Sequence, residues 1–300
     1  MNAPDQVIHL AEERMAARAN KDWAAADQLR AQISELGFEV LDVANGFELK
    51  AKLQYATISR IGDLRKFSEK VFDAAVGMIA DGFIEDVAAS LAQIKRHAPD
   101  NTAVLILISG YHDISPLLPE IDQRTFVVVV EEGVGWAEAA NAILKFSPAK
   151  FVAIMDPSTR FVGDAISPAL AQLQSEDWAA VGWRGGLVNL EDDWRSIEDK
   201  GAGEVDVLFS YFLFVDQSAA LECGGFNNRA IYYRNADIEF SLRLRQAKGR
   251  LLQLDLPLEQ ARHHGYYDTD PAYRDEQSKK TYDRILERFR GKTEILITRR

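Results

Sequence analysis

The sequence predicts an α/β fold: a domain on a mostly parallel central sheet, Rossmann-like in its alternation, preceded by a small helical-hairpin module. Three observations carry this. Residues 103–109, 125–130 and 151–155 are apolar throughout, as strands covered on both faces are. Amphipathic helical patterns separate them, the mark of parallel strands joined by crossover helices. The first fifty residues follow a different grammar, two helical periods and then a short hairpin pattern.

Residues 7–19 read as one helix. Asp22 offers a carboxylate N-cap for a second over 23–36, where Leu29, Ile33 and Leu36 keep the spacing of a buried stripe. Gly37 suits the left-handed position after a helix. Residues 38–41 and 47–49 are short extended pieces around Asn45-Gly46, a hairpin signal. This module occupies residues 1–50. A polar connector over 51–70, with Arg60, Arg65 and Lys66, leads into the α/β domain at 71–300. There 71–80 is strand-like, and 85–98 is a helix with Val87, Leu91 and Ile94 on one face. Strands at 103–109 and 125–130 precede a helix over 136–146. A strand at 151–155 ends in Asp156-Pro157, followed by a helix at 165–174 and a strand at 178–183. Residues 187–203 are acidic and loop-like, and 205–215 read as one long strand. A short helix at 217–223 runs into Gly224-Gly225-Phe226. A helix at 236–247, a strand at 250–256 and a helix at 273–289 complete the chain. Ligands of such sheets sit at the carboxyl ends of the strands, where Asp156 stands.

Composition narrows the function. Of 300 residues, 47% are apolar and 27% charged, enough apolar content to bury a normal core. The formal net charge of −11 repels phosphate backbones and anionic lipid, so binding either requires a local basic patch. The single cysteine, Cys223, excludes an intramolecular disulfide and a cysteine-built zinc site, and fits a reducing compartment. The opening residues lack a basic stretch followed by an apolar one, and no apolar run approaches the ~20 residues that span a bilayer. A cytoplasmic location is expected, with peripheral attachment to the inner face of a membrane left open.

Two sets of motifs carry the chemistry. The first is Gly135-Trp-Ala-Glu-Ala-Ala-Asn141 followed by Phe151-Val-Ala-Ile-Met-Asp156-Pro-Ser158. The second is Glu222-Cys-Gly-Gly-Phe226, then Ala236-Asp237-Ile-Glu239-Phe-Ser-Leu-Arg243-Leu-Arg245, then His263-His264. In order and spacing this set resembles family 2 glycosyltransferases of the GT-A fold, over about residues 71–267. The resemblance implies transfer of a sugar from a nucleoside-diphosphate sugar to a glycan or other acceptor, with inversion. A departing diphosphate must be neutralised, and a divalent cation held by hard oxygens does this. Mg²⁺ or Mn²⁺ is therefore implied, with Asp156, His263 and His264 as candidate ligands. Asp156, Ser158 and Asn141 are candidates for holding the donor and its diphosphate. Asp237 matches the family's catalytic base, at a helix N-terminus where a carboxylate is favoured. Each residue also has a plainer use: Asp156 as a turn residue, Asp237 as a helix cap, the histidines on the surface, Asn141 bonding a nearby loop, Cys223 as a small buried residue, and Trp183 and Trp194 as core.

The departures from the family matter. Ser158 replaces the second aspartate of the strand-end motif, Ala236 replaces the acid before the base, and Ile108-Ser109-Gly110 lacks an aspartate for the nucleotide base. A neutral hydroxyl is a poorer ligand for a hard cation than a carboxylate. A catalytically degenerate binding or scaffold protein is therefore an alternative to the enzyme.

The front module resembles the C-terminal domain of cysteinyl-tRNA synthetases over about residues 8–49. Ala11-Glu-Glu-Arg14, Ala17-Arg18, Lys21-Asp22-Trp-Ala24, Ala26-Asp27-Gln-Leu-Arg30 and Leu36-Gly37 carry the likeness. No nucleotide-binding signature or zinc cysteines of a synthetase accompany it, so aminoacylation is not expected. The likeness keeps an RNA-associated reading open, but five basic against nine acidic residues over 1–50 leave −4, the wrong sign for phosphate binding. Packing or docking against protein is the favoured role for this module.

Overall fold

The computed structural model describes residues 3–43, 46–51, 55–175 and 177–299. The chain divides into two compact units, Met1–Ala56 and Thr57–Arg300.

The first unit holds α1 (Asp5–Ala19), α2 (Trp23–Glu35), β1 (Phe38–Val43) and β2 (Gly46–Ala51). Asp22 caps α2, its carboxylate accepting from the Ala25 N–H at 3.0 Å. Gly37, at φ +81°, turns the chain out of the helix. β1 and β2 run antiparallel with Val43 opposite Gly46; Asn45 of the expected turn lies outside the described residues. The core is Val7, Ala11, Ile33 and Val40, with Phe38, Phe47 and Leu49 packed against it. The stripe on α2 is narrower than its spacing suggests. Leu36 caps the helix at its end and stays exposed. Arg14 is buried and sends two guanidinium nitrogens to Asp42, at 2.7 and 3.1 Å, fastening α1 to β1.

The second unit opens with β3 (Ala56–Ile58), β4 (Phe72–Ala80), α3 (Ile84–His97), β5 (Thr102–Ser109), β6 (Thr125–Val130), α4 (Trp136–Phe146) and β7 (Ala149–Met155). β8 (Thr159–Phe161), α5 (Ile166–Gln174), β9 (Ala180–Gly182), β10 (Gly185–Val188), β11 (Ile197–Glu198), β12 (Gly203–Val205), β13 (Val207–Leu208) and β14 (Leu213–Asp216) follow. The chain ends in α6 (Gln217–Glu222), α7 (Ala236–Gln246), β15 (Leu251–Gln253), β16 (Leu258–Gln260), α8 (His264–Tyr267) and α9 (Pro271–Phe289). The main sheet runs β12-β15-β9-β14-β7-β4-β5-β6-β3. Strands β7, β4, β5 and β6 are mutually parallel, as the unbroken apolar runs predict, and β14 enters antiparallel between β7 and β9. Val87, Leu91 and Ile94 form the buried face of α3. α4 lies so close to β4 that a Cβ on Gly77 would meet Ile143 Cγ2 at 2.4 Å. Among the described residues no helix is long and apolar enough to cross a membrane.

One expectation is corrected here. Residues 205–215 do not form one strand. Asp206 interrupts the run, fully buried, with Val188 N–H donating to its Oδ2 at 3.0 Å and Ile297 N–H to its Oδ1 at 2.8 Å. Arg299 supplies the countercharge at 3.1 Å. A buried carboxylate must find donors, and these contacts anchor the chain where the pairing changes partner. β12 pairs with β15, β13 with β10, and β14 with β7 and β9. The freed residues 209–212 fold against the loop after β7: Asp156 N–H donates to the Ser210 carbonyl at 2.9 Å, and Thr159 Oγ1 to the Tyr211 carbonyl at 2.8 Å. The acidic stretch after Gly185, expected as loop, contributes β10 and β11 to a small sheet with β13.

Candidate active site at the strand ends

β7 delivers Asp156 to the carboxyl end of the parallel strands. Ser158 folds back on it, donating to Oδ1 from its N–H at 2.8 Å and its hydroxyl at 2.5 Å. The other oxygen faces His263 Nε2 at 3.1 Å. Burial pushes the Asp156 carboxyl up, but the His263 contact and the Ser158 bonds pull harder and hold it below the ordinary aspartate value. His263 is itself buried, with Tyr233 stacked on its ring at 5.0 Å.

Asp237 lies in the first turn of α7, 7% exposed. Its Oδ2 accepts from the Ser210 N–H at 2.8 Å and the Ser210 hydroxyl at 3.1 Å, and its Oδ1 from the Ile238 N–H at 2.9 Å. Burial outweighs these bonds and raises its pKa above the ordinary value. Ser210 thus joins the two acids, its carbonyl on the Asp156 side and its donors on Asp237. Asp156, Asp237, His263, Ser210 and Tyr233 line one cavity of about 150 Å³. It adjoins a cleft of about 110 Å³, open to solvent, which also contains Asp156, Ser158 and His263 and extends past Asp81, Phe83, Asp86 and His264.

The tandem histidines part company. His264 turns its Nδ1 to Asp86 Oδ2 at 2.6 Å and stacks on Phe83 at 5.6 Å. It forms the cleft wall, apart from the Asp156–His263 pair. Asp86 also receives Arg160 at 3.3 Å, and Arg160 bonds the Pro157 carbonyl, so this chain of contacts steadies the turn that carries Asp156.

Asn141 spends its amide on a turn. Its oxygen accepts from the Phe226 N–H at 2.8 Å, and its nitrogen donates to the Phe226 carbonyl at 2.9 Å and to Asn228 Oδ1 at 2.7 Å. The structure brings Asp156, Ser158, Asp237 and His263 together; it sets Asn141 on the Gly224-Gly225-Phe226 turn instead. Gly225 has φ +64°, and a Cβ there would fall 2.4 Å from Asn141 Oδ1. Gly225→Ala is accordingly expected to cost about 1–3 kcal/mol, read as a lower urea midpoint at unchanged slope.

The other marked residues are structural. Ala236 is buried in the main core, and Trp194 in a second apolar cluster with Leu242 and Phe289. Trp183 is half-buried beneath Arg184. Cys223 is half-buried, and burial raises its thiol pKa. Ser109 exchanges hydrogen bonds with the Val134 backbone, at 2.8 and 3.0 Å. Sequence reasoning missed Ser210, Tyr233 and the Asp81-Gly82-Phe83 turn. Only the last had a signal, an aspartate at a strand end like Asp156.

No family model matches the chain. Near its N-terminus it is 56% identical over 39 residues to a cysteine–tRNA ligase of Bacteroides thetaiotaomicron, which is 13% of this chain and 8% of that protein. A cysteine–tRNA ligase of Chlamydia caviae is 42% identical over 50 residues, 17% of this chain and 10% of its own length. The chain therefore spans a tenth or less of either relative. Among solved structures, GalNAc-T7 with UDP, GalNAc and Mn²⁺ superposes with a TM-score of 0.56 at 12% identity, covering 73% of this chain and 48% of its own. The mannosyltransferase PcManGT of Pyrobaculum calidifontis, with GDP-Man and Mn²⁺, gives 0.55 at 16% identity, covering 75% and 67%. The larger part of this chain shares the GT-A fold of these nucleotide-sugar-dependent glycosyltransferases.

Proposed function

We propose that the second unit is an inverting, family 2-type glycosyltransferase that moves a sugar from a nucleoside-diphosphate sugar to a hydroxyl of a glycan or other acceptor. The observation that carries the reading is the shared cavity of Asp156 and Asp237, beside the strand-end cleft lined by Asp81, Phe83 and His264. Asp237 takes the acceptor proton as the acceptor oxygen bonds the anomeric carbon. The bond from that carbon to the diphosphate oxygen breaks with its electron pair, and the nucleoside diphosphate leaves. Ser210 holds Asp237, and Tyr233, stacked on His263, lines the cavity that both acids share.

The residues fit a divalent cation, Mg²⁺ or Mn²⁺. Asp156 and His263 present an oxygen and a nitrogen 3.1 Å apart, and Ser158 occupies only the far carboxylate oxygen. Among the described residues no group of three or more His, Cys, Asp or Glu could hold a metal, so the remaining positions fall to diphosphate oxygens and water. When bound, the ion neutralises charge on the leaving diphosphate. The first unit serves packing or protein docking in this reading, and the location is cytoplasmic.

The test is transfer and donor hydrolysis over a panel of UDP- and GDP-sugars, with and without Mn²⁺, for the wild type and Asp237→Asn. Equal turnover by both proteins removes Asp237 from the role. A second reading, a binding domain without turnover, draws on Ser158 and Ala236, neutral residues where the family carries acids. Calorimetric binding of UDP or GDP with no turnover of any donor would favour it.

A further inference from the structure

The site changes sign across His263 and Tyr233, which line both of its sides. On the β4 and α3 side the lining carries Asp81, Asp86 and Asp156 and, among the described residues, neither arginine nor lysine. On the other side two open grooves of about 660 and 380 Å³ are lined by Arg184, Arg234, Arg262 and Arg195 and, among the described residues, by no aspartate or glutamate. In a chain with 46 acidic and 35 basic residues, this local excess runs against the average.

These arginines differ in what already satisfies them. Arg262 is paired with Asp268 at 2.7 Å, and the Arg195 charge adds to the Ser196 hydroxyl bond that chiefly holds the Asp192 carboxyl below its ordinary value. Among the described residues the Arg184 side chain hydrogen-bonds only the neutral Gln260 amide oxygen, at 3.4 Å, and lies over the Trp183 and Tyr211 rings at 4.3 and 5.5 Å. Arg234 lies over Tyr266 at 4.9 Å, has no carboxylate partner among the described residues, and lines both grooves and the Asp237 cavity. A guanidinium stacked on an aromatic ring is oriented while its edge stays free for an incoming oxyanion. Tyr211, Tyr233, Tyr266 and Tyr267 line the same groove. Each has an arginine or His263 against its ring, and Tyr267, 61% exposed, leaves the most surface for sugar C–H groups.

We propose that this groove is the acceptor site and that the acceptor is an anionic glycan, whose carboxylate or phosphate engages Arg184 and Arg234 while its sugar rings lie on the tyrosines. The inference rests on the transferase reading for the word acceptor, and on the groove alone for the anionic glycan. Arg184 lines neither cavity that holds Asp156, and Arg234 borders the Asp156–Asp237 cavity from the groove side, apart from the cleft of Asp81, Phe83 and His264.

The experiment is calorimetry on the full chain with three probes: a galacturonic acid hexamer, its neutral methyl ester, and a glycerol-phosphate oligomer of similar length. The charged hexamer, the phosphate oligomer or both should bind at least about tenfold tighter than the ester, and the advantage should fall with added salt. Which one binds identifies carboxylate or phosphate as the anion. The Arg184→Gln, Arg234→Gln double variant should lose about tenfold in that affinity while keeping its affinity for UDP and GDP. Equal binding of hexamer, phosphate oligomer and ester by the wild type overturns the proposal without any variant having to fold. So does a double variant that loses nucleoside diphosphate instead. Anionic glycan binding that persists when no sugar nucleotide is turned over sustains the groove and removes the transferase reading.

Discussion

Asp237→Asn is expected to lower glycosyl transfer by about 10²–10⁴-fold, the contribution of a positioned general base, while the protein stays folded. Asparagine keeps an oxygen for the Ser210 N–H and sheds the charge whose burial raises the Asp237 pKa. Wild-type activity should fall as pH drops through a value above the ordinary aspartate pKa of about 3.9, because the base must be ionised. Stability runs the opposite way. A folded-state pKa raised above the unfolded one contributes stability that is full below the unfolded value and is lost as pH rises through the folded one. Urea midpoints of wild type and variant across that window should show the wild type losing ground on the way up, a slope the variant lacks. A variant with full activity, or a wild type whose acid limb sits at the ordinary value, would contradict this.

His263→Ala is expected to weaken Mn²⁺ binding, measured by calorimetry in the presence of UDP or GDP, by at least about 10²-fold, and to carry transfer down with it. His264→Ala provides the contrast. Its ring is spent on Asp86 and Phe83. Losing it should leave Mn²⁺ affinity within about threefold and weaken the nucleoside diphosphate instead, because the cleft wall loses its stacked pair. If the two variants lose Mn²⁺ equally, the Asp156–His263 pair is not where the ion sits.

The parts of this architecture legible in the sequence are those set by local pattern. The strand 125–130 and the helix 136–146 coincide end to end with β6 and α4, because apolar runs and a 3.6-residue period leave little choice. Asp22 as a cap and Gly37 as a stop are equally local. The break inside 205–215 was not legible. Val205, Val207, Leu208 and the 212–215 run announce burial without saying toward which neighbour. Asp206 marks the break, yet its partners Val188, Ile297 and Arg299 lie far off in the chain. The site divides the same way. Asp156 at a strand end and Asp237 in a first helical turn could be found from spacing. Ser210, which joins them, sits in what reads as mid-strand. Nor could spacing tell one histidine of the pair from the other, since that depends on His263 standing just before α8 and His264 beginning it.

Arg299 balances the Asp206 carboxylate, which has no access to water and stands a short way before Ser210, whose donors hold Asp237. Replacing this arginine by glutamine would leave an uncompensated anion inside the protein. The disturbance would pass along one short peptide segment to Ser210 and the two carboxylates it joins.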